Sequence, residues 1–167
     1  MGNHSMLSKS RIVRQDFGKL NNLVKGIGQK AVVRIGIMGA KNSKHKSEDG
    51  SGMLTNAEIG AIHEFGSLSG HIPSRSWLRM PIHKGAAFIV KKAKQELKIM
   101  AEKGSILPIL VNIGIRCGQL IQRAFASRGF GEWAPIKPAT KKAKGSSAIL
   151  IDTGQLRRSV SSKVVIQ

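Results

Sequence analysis

Tyrosine is missing from this chain, and only 4% of its residues are aromatic. A core must therefore come mainly from Ile, Leu, Val and Ala, within a hydrophobic share of 41% that is ordinary for a globular protein. Cysteine is nearly missing too. Cys117 stands alone, which excludes an intramolecular disulfide, and its apolar helical surroundings make it a small core residue. A lone thiol agrees with a reducing cytoplasm. The longest apolar run, 106–115, is interrupted by Pro108 and Asn112 and is too short to span a bilayer. Residues 1–30 alternate basic and apolar without the h-region of a secretory signal. A soluble protein without membrane contact is expected, with residues 1–6 read as a tag or unstructured lead-in and Met6 as the natural start.

Acidic residues are scarce. Nine Asp and Glu face 28 Lys and Arg, giving a formal charge of +19. So few carboxylates leave little for a two-metal nuclease site. The cation excess suits nucleic acid or an acidic protein surface, but equally a solvated basic exterior. The 167 residues suffice for one domain with its own core, and a single domain is expected.

Sequence signatures of catalysis are also lacking. His63-Glu64 is not the zinc-binding H-E-x-x-H helix, because position 67 is Ser. His63, His71 and His83 make a metal site only if the fold gathers them, since their spacing gives no helical register. Glu64 at a helix end more simply pairs with an Arg such as Arg75. Ser74 and Ser76 have no G-x-S-x-G frame, and neither 26–30 nor 35–41 has the spacing of a nucleotide loop. No catalytic residue, cofactor or metal is expected.

What is present begins with an amphipathic helix over 7–30, carrying Phe17, Leu20, Val24 and Ile27 and ending near Gly26 or Gly28. Residues 31–39 are β-branched and bounded by glycine, hence a strand. Residues 40–53 hold almost nothing that packs and read as a flexible loop. A short helix follows over 55–65, capped by Thr55 or Asn56, with Glu58 at its positive end. Ile59, Ile62 and Phe65 give it an apolar face, and Ala57 and Ala61 allow close approach. Gly66 stops it in the left-handed conformation, and Ile72-Pro73 forces an extended entry into 74–80, where Arg75, Trp77 and Arg79 alternate with Ser76, Leu78 and Met80.

A basic helix is expected over 84–103, with Ile89, Ala93, Leu97 and Met100 inside. Ser105 caps another, in which Ile106, Leu110, Ile113, Cys117, Leu120 and Ala124 form a seam widened by Ile109 and Ile121. Residues 127–149 read as a loop around Trp133, mobile over 137–148. Asp152 or Thr153 caps a last short helix before a strand over 159–166. Trp77 and Trp133 are large anchors, in the core or at an interface. The order helix, strand, helix, strand, two helices, helix, strand predicts an α+β domain: a small, mostly antiparallel sheet packed with two or three amphipathic helices.

Two blocks of this sequence resemble a known family. The first is His63-Glu64-Phe65-Gly66, a polar loop, then Ile72-Pro73-x-Arg75-x-Trp77-Leu78-Arg79. The second is Trp133-x-Pro135, Thr140 and a basic segment, then Asp152-Thr153-Gly154-x-Leu156 and Ser159. Together they resemble the phage virion morphogenesis family, the tail completion proteins of Mu-like and P2-like phages and prophages. They span residues 55 to 160, and the chain departs from the family pattern at loop 40–53 and in its short C-terminus.

The resemblance implies a non-enzymatic protein of tail completion or head–tail joining. It implies a ring-forming homo-oligomer, a hexamer by tail symmetry, that contacts tail tube or connector proteins and belongs to the virion. The motif residues carry over as structural and interface positions. The alternative is a basic nucleic-acid-binding protein. Non-specific DNA contact is compatible with either.

Overall fold

The computed structural model describes residues 31–46, 52–69, 71–100, 105–151 and 153–166. The helix expected over 7–30, the lead-in 1–6 and Asp152 lie outside them. The chain runs β1 (Ala31–Ile37), a 3-10 turn (Gly39–Lys41), β2 (Lys44–Lys46), β3 (Met53–Thr55), α1 (Asn56–Phe65), α2 (Arg79–Met100), α3 (Leu107–Ala126), α4 (Pro138–Lys144), α5 (Gln155–Ser159) and β4 (Val160–Ile166). Strand β1 pairs with β4, and β2 pairs antiparallel with β3. The fold class is α+β, as expected. No helix among the described residues is long and apolar enough to cross a membrane.

Contacts divide the chain into two compact units. In the unit of 35–87 and 115–162, the core gathers Trp77, Ile121, Ala124, Phe125, Trp133, Ile149 and Leu156. With few aromatics available, three of them are spent together. Phe125 lies 6.0 Å from Trp77 and meets Trp133 edge-on at 5.7 Å, geometries that favour aromatic pairs beyond their buried area. Both tryptophans are therefore core residues.

In the other unit, described over 31–34, 88–114 and 163–166, Ile89 and Ile109 are buried. There Asn112 donates from its amide to Glu96 at 3.3 Å, and Ser105 Oγ accepts the Leu107 amide at 3.3 Å, as its capping role predicts.

Several expectations are corrected. Loop 40–53 is not empty of structure, since 44–46 and 53–55 form a hairpin. Its first residues are tied down: Asn42 Oδ1 accepts the Ala57 amide at 2.8 Å, and Asn56 Nδ2 donates to the Lys41 carbonyl at 2.8 Å. Residues 137–148 are not a loop throughout, because 138–144 are helical, with Pro138 in the first turn and Gly145 left-handed after the last. Residues 73–78 form no strand, and the next helix starts at Arg79 rather than 84. In α3 the apolar side chains that are buried are Ile109, Cys117, Ile121, Ala124 and Phe125. The first four belong to the expected seam and its widening, Phe125 is added, and Ile106, Leu110, Ile113 and Leu120 are only half-buried.

Candidate functional site

Helix α1 begins with a complete capping box. Glu58 N–H donates to Thr55 Oγ1 at 3.2 Å, and Thr55 N–H donates back to Glu58 Oε2 at 2.7 Å. The Thr55 amide, and then the Thr55 hydroxyl at 2.8 Å, hold the Glu58 carboxyl below its usual range. The helix turns inward a face that hydropathy does not mark. Asn56, Gly60 and Glu64, four residues apart, are buried. Phe65, expected inside, is 64% exposed and lies under the Arg79 guanidinium at 4.6 Å.

Gly60 lies where elements meet. An added Cβ would come 2.9 Å from Trp77, 3.2 Å from Ile37 and 3.3 Å from Leu156, and the Gly60 carbonyl accepts the Trp77 indole N–H at 2.8 Å. One turn on, the Glu64 carboxylate accepts from Ser76 Oγ (2.7 Å), the Leu78 amide (2.9 Å), the Arg79 amide (3.3 Å) and Arg79 Nε (2.9 Å). It therefore sits on the first N–H groups of α2, where the helix dipole favours an anion. Burial pushes this carboxyl up, but the Leu78, Ser76 and Arg79 donors outweigh it and the net shift is downward. The partner of Glu64 is thus Arg79; the Arg75 pairing is corrected.

Gly66 ends α1 at φ 80°, ψ 175°, a glycine conformation but not the left-handed helical one expected. Ser67 and Ile72 then bridge through paired backbone bonds of 2.9 and 3.0 Å, which returns the chain so that the Arg75 amide meets the His63 carbonyl at 2.7 Å. A Cβ at Gly66 would strike the Ile72 carbonyl oxygen and the Ser74 nitrogen, each at 2.9 Å. Pro73 is exposed and Leu78 packs at the core's edge.

The second block meets the first here. Arg75, buried, donates to the carbonyls of Ala134 (2.8 Å) and Pro135 (3.1 Å), and the Trp133 indole donates to the Ser76 carbonyl at 3.2 Å. Burial lowers the Arg75 pKa. His63 titrates at about 4, pushed down by burial and then by the charges of Arg75 and Lys144.

Leu156 and Ser159 are buried on α5, with Ser159 Oγ donating to the Gln155 carbonyl at 2.8 Å. Thr153 does not cap α5; the cap position is Gly154 at φ 74° without a side-chain bond. Thr140 is exposed on α4, away from this set of bonds. Thr153 and Gly154 line an open cleft of about 490 Å³ with Gln122, Ile151, Arg157, Arg158 and Val160, and none of His63 to Gly66 borders it.

Three residues outside the motif positions proved central: Asn56, Gly60 and Ser76. A glycine inside a helical pattern costs helix propensity and is a cue to look for a packing reason, and Asn56–Gly60–Glu64 has helical spacing. Among the described residues no three His, Cys, Asp or Glu side chains are grouped to hold a metal, and His63, His71 and His83 form no such group. Compared with family models, curated proteins and solved structures, the chain shows no match.

Proposed function

We propose that this chain is a non-enzymatic subunit of a contractile phage tail, acting in tail completion or head–tail joining as a ring-forming building block of the virion. One observation carries the reading. The two motif blocks, apart in sequence, are joined by Arg75 to Ala134 and Pro135 and by Trp133 to Ser76. A carboxylate with four intramolecular donors and an arginine held by two carbonyls give a rigid shape. Rigid, self-consistent subunits suit closed symmetric assemblies. The partners in this reading are further copies of the chain and the proteins of the tail tube or connector.

Light scattering of the full chain at low and high salt tests the ring. The expected mass is six times the 18.0 kDa subunit, stable to salt because apolar contacts hold it. A monomer at every concentration and salt overturns the ring. Tail assembly is tested separately, by adding the chain to extracts of a phage lacking its own completion subunit. Tails that join filled heads are the expected product, and none joined overturns the reading.

A further inference from the structure

Helix α4 differs in chemistry from the rest of its unit. Lys137, Lys141 and Lys142 are exposed, while Lys144 turns back to the Ala148 carbonyl at 2.7 Å. Between the lysines stand Pro138, Ala139, Thr140 and Ala143, all exposed and all small. The described carboxylates of the same unit are committed elsewhere. Glu58 closes the Thr55 capping box, Glu64 is buried at the start of α2, and Glu132 pairs with Lys84. Among the described residues, none forms an ion pair with Lys137, Lys141 or Lys142.

We propose that α4 is a contact for the phosphate backbone of duplex DNA, one that does not read sequence. Protein interfaces concentrate their energy in aromatic or large apolar anchors, and α4 has none. Single-stranded nucleic acid is held by stacking on aromatic rings, which α4 also lacks. The planar side chains that pair two base atoms at once, Arg, Asn and Gln, are absent from α4, which leaves only flexible point charges and one hydroxyl. Flexible point charges on a small-residue surface satisfy the one remaining class, phosphates. The inference stands apart from the tail reading, since neither requires the other.

The test is fluorescence anisotropy of a mixed-sequence duplex with the full chain, across a salt titration. The triple variant K137Q/K141Q/K142Q is set against K91Q/K94Q/K98Q, which removes the same charge from exposed positions of α2. Loss of three phosphate contacts lowers the slope of log affinity against log salt by about 2.7, while the α2 variant leaves it unchanged. Circular dichroism checks that both variants fold, as expected for exposed positions. Equal loss in the two variants, no loss in the α4 variant, tighter binding of a single strand, or equal binding of polyglutamate overturns the proposal.

Discussion

Arg75 donates from Nε to the Ala134 carbonyl at 2.8 Å and from Nη2 to the Pro135 carbonyl at 3.1 Å, across 59 and 60 residues of chain. Two carbonyls held by one rigid guanidinium fix where the second motif block lies against the first. Arg75→Met should cost about 1.5–3 kcal/mol, the scale of hydrogen bonds made by a charged donor. Arg75→Lys should recover less than half of this, because an ammonium lacks the planar fork. Urea unfolding with an unchanged m-value reads both, and a midpoint equal to wild type for either variant contradicts the assignment.

Gly60 and Gly118 form a matched pair of helical glycines. Alanine at 118 meets nothing within 4 Å and should gain about 1 kcal/mol of helix propensity. Alanine at 60 would press on Trp77 at 2.9 Å, and overpacking should turn the same substitution into a loss of about 1–3 kcal/mol. Thermal melts of the two variants moving in opposite directions is the expected result.

Glu64 contributes to the acid limit of the fold. Its folded pKa lies below the unfolded value, so the unfolded chain binds the extra proton as pH drops. Its contribution is present above about pH 4.5 and fades as pH falls through the lower folded value. Glu64→Gln should lower stability at neutral pH and flatten the curve below pH 4.5. An unaltered acid limb in the variant argues against the carboxylate as its origin.

His63 acts in a separate window. Its folded pKa of about 4 lies below the ordinary 6.5, so the neutral ring is favoured by folding. That stability is complete above pH 6.5 and is lost as pH falls towards 4, by at most about 3 kcal/mol. In His63→Gln the stability curve between pH 6.5 and 4 should lose most of its slope while the limb below 4.5 persists. Chemical denaturation at half-unit pH steps separates the two.

Cys117 is 3% exposed, and burial pushes its thiol pKa up. A thiol reagent should label the folded chain only as fast as it opens, and rapidly in denaturant. Fast labelling of the native protein at neutral pH would place the thiol outside the core.

Local chemistry was legible where a few neighbouring residues decide the outcome. Thr55 and Glu58 announce a capping box, Gly66 a stop, and residues 31–37 and 160–166 their strands. Helix α4 was missed, because its density of lysine reads as loop, although Pro138 at its start and Gly145 past its end are helix boundary signals. The start of α2 was missed as well, because its capping carboxylate comes from Glu64, on another helix.

By itself the sequence determined an α+β chain with no intramolecular disulfide, few aromatic residues and a large positive charge. Only the tertiary structure decided which side of α1 is inside. Hydropathy ranks a side chain by its transfer from water, and on that scale Phe65 goes in and Glu64 stays out. The fold reverses them because Glu64 finds four donors there in place of water, while Phe65 finds a cation at the surface.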